Sequence, residues 1–183
     1  WRRYSDDYRE RFVRDLAATA AAAPEMSFLV KPHMGGQWFV RGGSNALLPS
    51  NVEIAHPAAE RWRRFTADAF LVHASAVITT PSTIALDAAR YGVPAALVTY
   101  GIAAQNYHPL QRLEQFADWL AFVDQIRRGS YDRTRLEAFF ADAVVPGDAV
   151  ARILTIIRMA GARRSPADML STLQATPRSL AAS

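Results

Sequence analysis

Cysteine is absent from the 183-residue chain, and its absence excludes structural disulfides, cysteine-based zinc sites and thiol catalysis together. With that scaffold of small secreted proteins removed, a reducing cytoplasm is the expected compartment. No apolar run approaches the roughly 18 to 20 residues that span a bilayer. The start at Trp1 has neither an initiator Met nor a signal-peptide pattern, so the chain reads as a fragment or a single domain. Lysine is nearly missing as well, since Lys31 stands alone among arginines. The 21 basic side chains outnumber the 17 acidic ones to a net charge of only +4 and gather into no tract. Electrostatics therefore speaks against nucleic acid as a partner and permits an anionic small molecule.

Apolar material is plentiful, at 50% of residues, which suffices for the core of one domain. Its spacing alternates between two periods. Tyr8, Phe12 and Leu16 recur at helical spacing between about Tyr4 and Ala22, and Pro24 ends that helix. Ser27–Lys31 is a short apolar run closed by Pro32, which favours a buried strand. After a glycine-rich loop, Val52–Ala55 reads as a second strand. A helix is expected from about Ala58 to His73, presenting Trp62, Phe65, Ala69 and Phe70. Ala76–Thr80 and Ala95–Tyr100 read as strands around a helix from Thr83 to Tyr91, with Ser82 placed to cap it and Gly92 to end it in a left-handed conformation. Further helices are expected at about Pro109–Ile126, burying Leu113, Phe116, Leu120 and Val123, and near Arg133–Asp142 and Asp148–Ala160.

Strands alternating with helices imply an α/β, Rossmann-like three-layer domain with a parallel sheet. Residues 1–162 are expected to form this Rossmann-like domain and residues 163–183 a loosely ordered tail. In such sheets ligands bind beyond the carboxyl ends of the strands. Three segments fit that place: Lys31–Gly36, Thr79–Thr83 and Tyr100–Ile102. The middle one is the best candidate, because hydroxyls and amides at a strand-to-helix turn suit phosphate oxygens. Thr80, Ser82 and Thr83 are its phosphate candidates. The plain structural alternative for Ser82 is an N-cap alone. Asp87, one turn further on, either faces the crevice and accepts from ribose hydroxyls or lies on the solvated face.

The run Ala76–Pro94 resembles the donor-nucleotide segment of GT-B glycosyltransferases and the related UDP-GlcNAc 2-epimerases: a strand, a Ser turn, a helix with an acidic residue followed by Ala, then Gly-x-Pro. Leu29-Val30-Lys31-Pro32-His33 is similar to the Lys-Pro-His signature of CDP-glycerol glycerophosphotransferases and capsule polysaccharide transferases. The likeness runs over roughly residues 27 to 126 and includes Asn51-Val52-Glu53, Tyr107-His108-Pro109-Leu110 and Asp118-Trp119. It implies the C-terminal, nucleotide-binding half of a GT-B enzyme, with phosphate at Ser82 and Thr83, near Thr80, Lys31 and Gly101, and the ribose near Asp87. His33 becomes the catalytic candidate, donating to the phosphate of the departing nucleotide.

Two features depart from the family pattern. Asp87 occupies only the second of the two acidic positions of retaining enzymes, and Lys-Pro-His is followed by Met34 rather than Pro. Stereochemistry and donor stay open. Arg41, between two glycine pairs, belongs either to a mobile loop over the donor or to a hairpin-like surface excursion. His56 and His108 are further contact candidates from their loop positions, whereas His73 sits late in an apolar helix. The histidines have no metal spacing among themselves or with nearby carboxylates, so no metal site is expected, and the resemblance implies a nucleotide-activated donor as substrate with no cofactor. The implied partners are a nucleotide-activated sugar or polyol donor and an N-terminal acceptor half, without which the chain is expected to be inactive. Peripheral association with the cytosolic face of the inner membrane is expected of the full-length protein. An epimerase-like domain and a noncatalytic nucleotide-binding or interaction module are the alternatives.

Overall fold

The computed structural model describes residues 4–32, 38–41, 48–56, 58–144, 147–162 and 164–175. The chain divides into two compact units, Trp1–Ala143 and Val144–Ser183.

The first unit opens with α1 (Asp6–Ala22). Ser5 Oγ accepts from the Tyr8 amide at 3.1 Å, and Asp6 and Asp7 place negative charge at the positive end of the helix. The strands β1 (Phe28–Val30) and β2 (Val52–Ile54) pair in parallel, with Leu29 opposite Glu53; the short helix α2 (Trp38–Arg41) lies between them in sequence. Asn51 ties this region together by donating from Nδ2 to the carbonyls of Ala20, Ala23 and Met26 at 2.9, 3.1 and 2.9 Å.

The expected helix over Ala58–His73 is instead two turns, α3 (Glu60–Arg63) and α4 (Ala67–Leu71). Thr66 between them is extended, at φ −77° and ψ 166°, and starts the second turn. The break lets the rings of Trp62, Phe65 and Phe70 meet one another at 5.5 to 6.0 Å between centroids, which a continuous helix would not allow for all three. Phe65 remains 45% exposed rather than buried.

The larger sheet has the order β3 (Val77–Thr79), β4 (Ala95–Val98), β5 (Gln111–Leu113), all parallel. The helix α5 (Ile84–Arg90) connects β3 to β4 and ends at Gly92, whose φ is +67°. Gly92 N donates to Ala89 O at 3.1 Å and Val93 N to Ala88 O at 2.9 Å, so the left-handed glycine satisfies carbonyls that the helix end would leave open. The β4-to-β5 connection carries a 3₁₀ turn at Gln105–Tyr107, and the His108–Pro109 peptide is cis. Here the expected helix Pro109–Ile126 is corrected: its first part is the strand β5, and α6 begins at Phe116 (Phe116–Arg127). Leu113 is fully buried as a strand residue, and the helix buries Trp119, Phe122 and Val123 while Phe116 is exposed. Asp118 accepts from the amides of Glu114 at 2.8 Å and Gln115 at 3.1 Å, which fixes the start of α6. The unit closes with α7 (Arg133–Ala143).

Strand β4 is buried on both faces, and its alternation sorts two cores. Ala95 and Leu97 pack with Leu71 of α4, Ala85 and Ala88 of α5, and Leu136 and Phe139 of α7. Ala96 and Val98 pack with Tyr8 and Leu16 of α1, Phe39 of α2, and Trp119 and Phe122 of α6. Helices on both sides of parallel strands give the α/β, Rossmann-like layering. In the second unit, α8 (Ala149–Gly161) is followed by α9 (Pro166–Ala175). Among the described residues no helix is long and apolar enough to cross a membrane.

Candidate functional site

The register of the larger sheet brings two of the candidate segments to one edge. Thr79 of β3 pairs with Leu97 of β4, and Val98 of β4 pairs with Leu113 of β5, so the three strands end nearly level. From β3 the chain passes through Thr80, Pro81, Ser82 and Thr83 into α5. Thr79 Oγ1 donates to Thr80 O at 2.9 Å, holding the strand end. The N-cap position falls to Thr83, in helical backbone geometry at φ −62° and ψ −18°, and not to Ser82 as the sequence suggests. Ser82 Oγ accepts from Ile84 N only at 3.5 Å, a long contact that is weak as a cap. Ser82 and Thr80 are half-buried, Thr83 is exposed, and Asp87 is half-buried in the first turn of α5.

The second segment follows β4. Tyr100 and Gly101 have φ of 39° and 82°, and Ile102 N donates to Thr99 O at 2.7 Å across them. Two successive residues at positive φ closed by that bond have the pattern of a type I′ turn, which normally takes Asn or Gly at its first central place. A tyrosine there costs roughly 1 to 2 kcal/mol of backbone strain. Gly101 faces open space, with no atom within 4 Å of where a Cβ would stand.

The strain is offset by a buried polar network that sequence reasoning missed. Tyr100 Oη donates to Asp15 Oδ2 at 2.7 Å and accepts from Trp119 Nε1 at 3.1 Å. Asp15 is 1% exposed and its other oxygen accepts from Arg14 Nε at 3.0 Å. The Arg11 guanidinium lies 4.3 Å from the centre of the Tyr100 ring and also donates to Glu114 O at 3.0 Å. Tyr8 packs edge-on to Tyr100 at 5.2 Å and donates to Val98 O at 2.7 Å. Burial, then the hydrogen bond to Asp15 and its negative charge, push the Tyr100 phenol well above its ordinary value of 10. The signal available in the sequence was Asp15 itself, an acidic residue on the Tyr8, Phe12, Leu16 stripe of α1.

No protein-family model, curated protein or solved structure matches the chain. Lys31 follows β1 and is half-buried, its ammonium 5.7 Å from the centre of the Phe70 ring. His56 follows β2, and its Nδ1 accepts from the Ala58 amide at 3.1 Å. His108 is exposed beside the cis peptide. Arg41 ends α2, and His33 lies outside the described residues. Thus Thr80, Ser82, Thr83 and Gly101 share one sheet edge, while Lys31 and His56 end the strands of the smaller sheet. Among the described residues, no group of three or more histidine or acidic side chains is arranged to hold a metal ion.

Proposed function

We propose that the chain is the donor-nucleotide-binding domain of a bacterial glycosyltransferase or polyol-phosphate transferase of surface-polysaccharide assembly. The observation that carries this reading is the alignment of the Thr80–Thr83 turn and the Tyr100–Gly101 turn at the carboxyl edge of adjacent parallel strands, the place where open α/β sheets take ligands. Ser82, whose hydroxyl is held only loosely by Ile84, supplies phosphate hydrogen bonds with Thr80 and Thr83. Asp87 accepts from ribose hydroxyls, and Gly101 leaves room for the nucleotide backbone. Lys31 adds charge to the phosphate, and His33 protonates or hydrogen-bonds the leaving group, with Arg41, His56 and His108 as outer contacts. Fixed donors of this kind need no metal. The acceptor binds on a separate half, so this chain binds nucleotide without turning over, and the whole enzyme works in the cytoplasm at the inner face of the membrane.

Calorimetric titration with CMP, CDP, UDP, GDP and ADP tests the proposal, with Ser82→Asp as the control that preserves folding and repels phosphate. Selective binding of one nucleotide, lost in the folded variant, is the expected result. Equal affinity in Ser82→Asp removes this edge from the site. Failure of every nucleotide, in this chain and joined to its acceptor half, overturns the reading in favour of a noncatalytic module.

A further inference from the structure

Helix α8 has thirteen residues and none of them is buried. It is nonetheless well formed: Asp148 Oδ1 accepts from the Ala151 amide at 3.0 Å and caps its start. Val150, Ile153, Leu154 and Ile157 stand at the i, i+3, i+4, i+7 spacing of a single stripe and are 66%, 55%, 45% and 60% exposed. A continuous aliphatic stripe this open on a capped helix marks an interaction surface. The charge of the segment selects the partner. From Ala149 to Ala167 the sequence holds Arg152, Arg158, Arg163 and Arg164 and no acidic residue. The carboxylates at its two ends are engaged within their own segment, Asp148 Oδ1 accepting from the Ala151 amide and Asp168 Oδ2 from Ser165 Oγ, so arginine outnumbers acid four to two over Asp148–Asp168 and the surface fits an anionic partner.

We propose that α8 docks the protein on an anionic lipid surface, lying in the plane of the interface with Val150, Ile153, Leu154 and Ile157 among the acyl chains and Arg158 and Arg164 at the headgroup phosphates. The helix is roughly 20 Å long, too short for the roughly 30 Å of a hydrocarbon core, which restricts it to lying flat. A convex aliphatic ridge needs no shaped complement in a fluid bilayer, and this favours lipid over an acidic protein. The inference gives a physical means for the membrane location proposed above and uses nothing from nucleotide binding, so the two fail separately.

The test is co-sedimentation of the 183-residue chain with vesicles of phosphatidylcholine alone and of phosphatidylcholine mixed equally with phosphatidylglycerol. The expected result is binding to the mixed vesicles only. Ile153→Asp with Ile157→Asp should abolish it, and Arg158→Gln with Arg164→Gln should weaken it about 25-fold, at about fivefold per arginine. Circular dichroism checks that helix content is kept; where the aspartates unfold α8, Ile153→Ser with Ile157→Ser replaces them with the same expected direction. Absence from the pellet, equal binding to neutral vesicles, or binding unchanged in the folded stripe variant each overturns the proposal. A wild-type dimer that the stripe variant dissociates, or capture by poly-glutamate with no vesicle binding, assigns the surface to a second copy or to an acidic protein instead.

Discussion

Replacing Tyr100 with phenylalanine tests whether the buried network holds the turn after β4. The variant keeps the ring that packs on Tyr8 at 5.2 Å and under the Arg11 guanidinium at 4.3 Å, and it removes one oxygen. That oxygen donates to the Asp15 carboxylate at 2.7 Å and accepts from Trp119 Nε1 at 3.1 Å. A hydrogen bond to a charged group contributes about 1.5 to 3 kcal/mol, and a buried donor left without its acceptor costs about 1 to 3 kcal/mol. Trp119 is 0% exposed and cannot turn its N–H to water, while Asp15 keeps the Arg14 bond on its other oxygen. The expected loss is therefore about 2 to 4 kcal/mol. Tyr8→Phe is the internal control, because Tyr8 donates to one neutral carbonyl, that of buried Val98, and its loss should cost about 1 to 2 kcal/mol. Urea unfolding followed by both circular dichroism and tryptophan fluorescence gives the free energies. A double-mutant cycle with Asp15→Asn should return a coupling of about 1 to 2 kcal/mol. A Tyr100→Phe loss no larger than that of Tyr8→Phe, or a coupling below about 0.5 kcal/mol, would refute the reasoning.

Burial raises the phenols of both Tyr100 and Tyr131 above 10, so their neutral forms favour the folded state. That contribution is complete below pH 10 and fades as pH climbs from 10 through the raised folded values; Tyr100→Phe should flatten the alkaline fall of the urea midpoint, and parallel curves for the two proteins would count against it. Asn51→Asp turns a donor that serves three carbonyls into a carboxylate facing them, and should cost more than the roughly 1 to 3 kcal/mol expected for Asn51→Ala; the reverse order in urea unfolding would contradict the contact assignment. Leu97→Ala opens the core at a fully buried position of β4 and should cost about 2 to 5 kcal/mol by the same assay, whereas a loss below about 1 kcal/mol would mean that α5 and α7 close over the gap.

Much of the first unit is legible because its cues are local. The fully apolar run Ala95–Val98, of strand length and preceded by Pro94, reads as a strand buried on two faces, and Gly92 before Pro94 reads as a helix end. The Gln111–Leu113 strand is hidden in the sequence for an equally physical reason. It sits at the edge of the β3-β4-β5 order, so Arg112 is solvent-exposed and only Leu113 is deeply buried, leaving three residues with no alternation to detect. Leu113, Phe116, Leu120 and Val123 happen to share helical spacing, and pairing of Leu113 with Val98, a tertiary event, overrides it. The break at Arg64–Thr66 has the same origin: three aromatic rings gain contact by folding the helix back, an energy that no window along the sequence contains.

The candidate site divides along the same line. The Thr80–Thr83 turn is legible because strand, hydroxyls and helix are contiguous, whereas Asp15 and Tyr100 meet across 85 residues. Their pairing changes what α1 is for. A helix whose stripe reads as ordinary packing also supplies the carboxylate, the guanidinium and the ring that keep Tyr100 in a backbone region tyrosine avoids. Gly101 takes its place at the sheet edge from that constraint, since its neighbour's ring is anchored from α1 and α6 together. The anchoring residues are remote from the turn in sequence, and a substitution at Asp15 reaches it through the hydrogen bond to Tyr100. Strained backbone persists where the surroundings over-determine it, and here they do so at the end of the central strand, beside the turn that the phosphate reading needs.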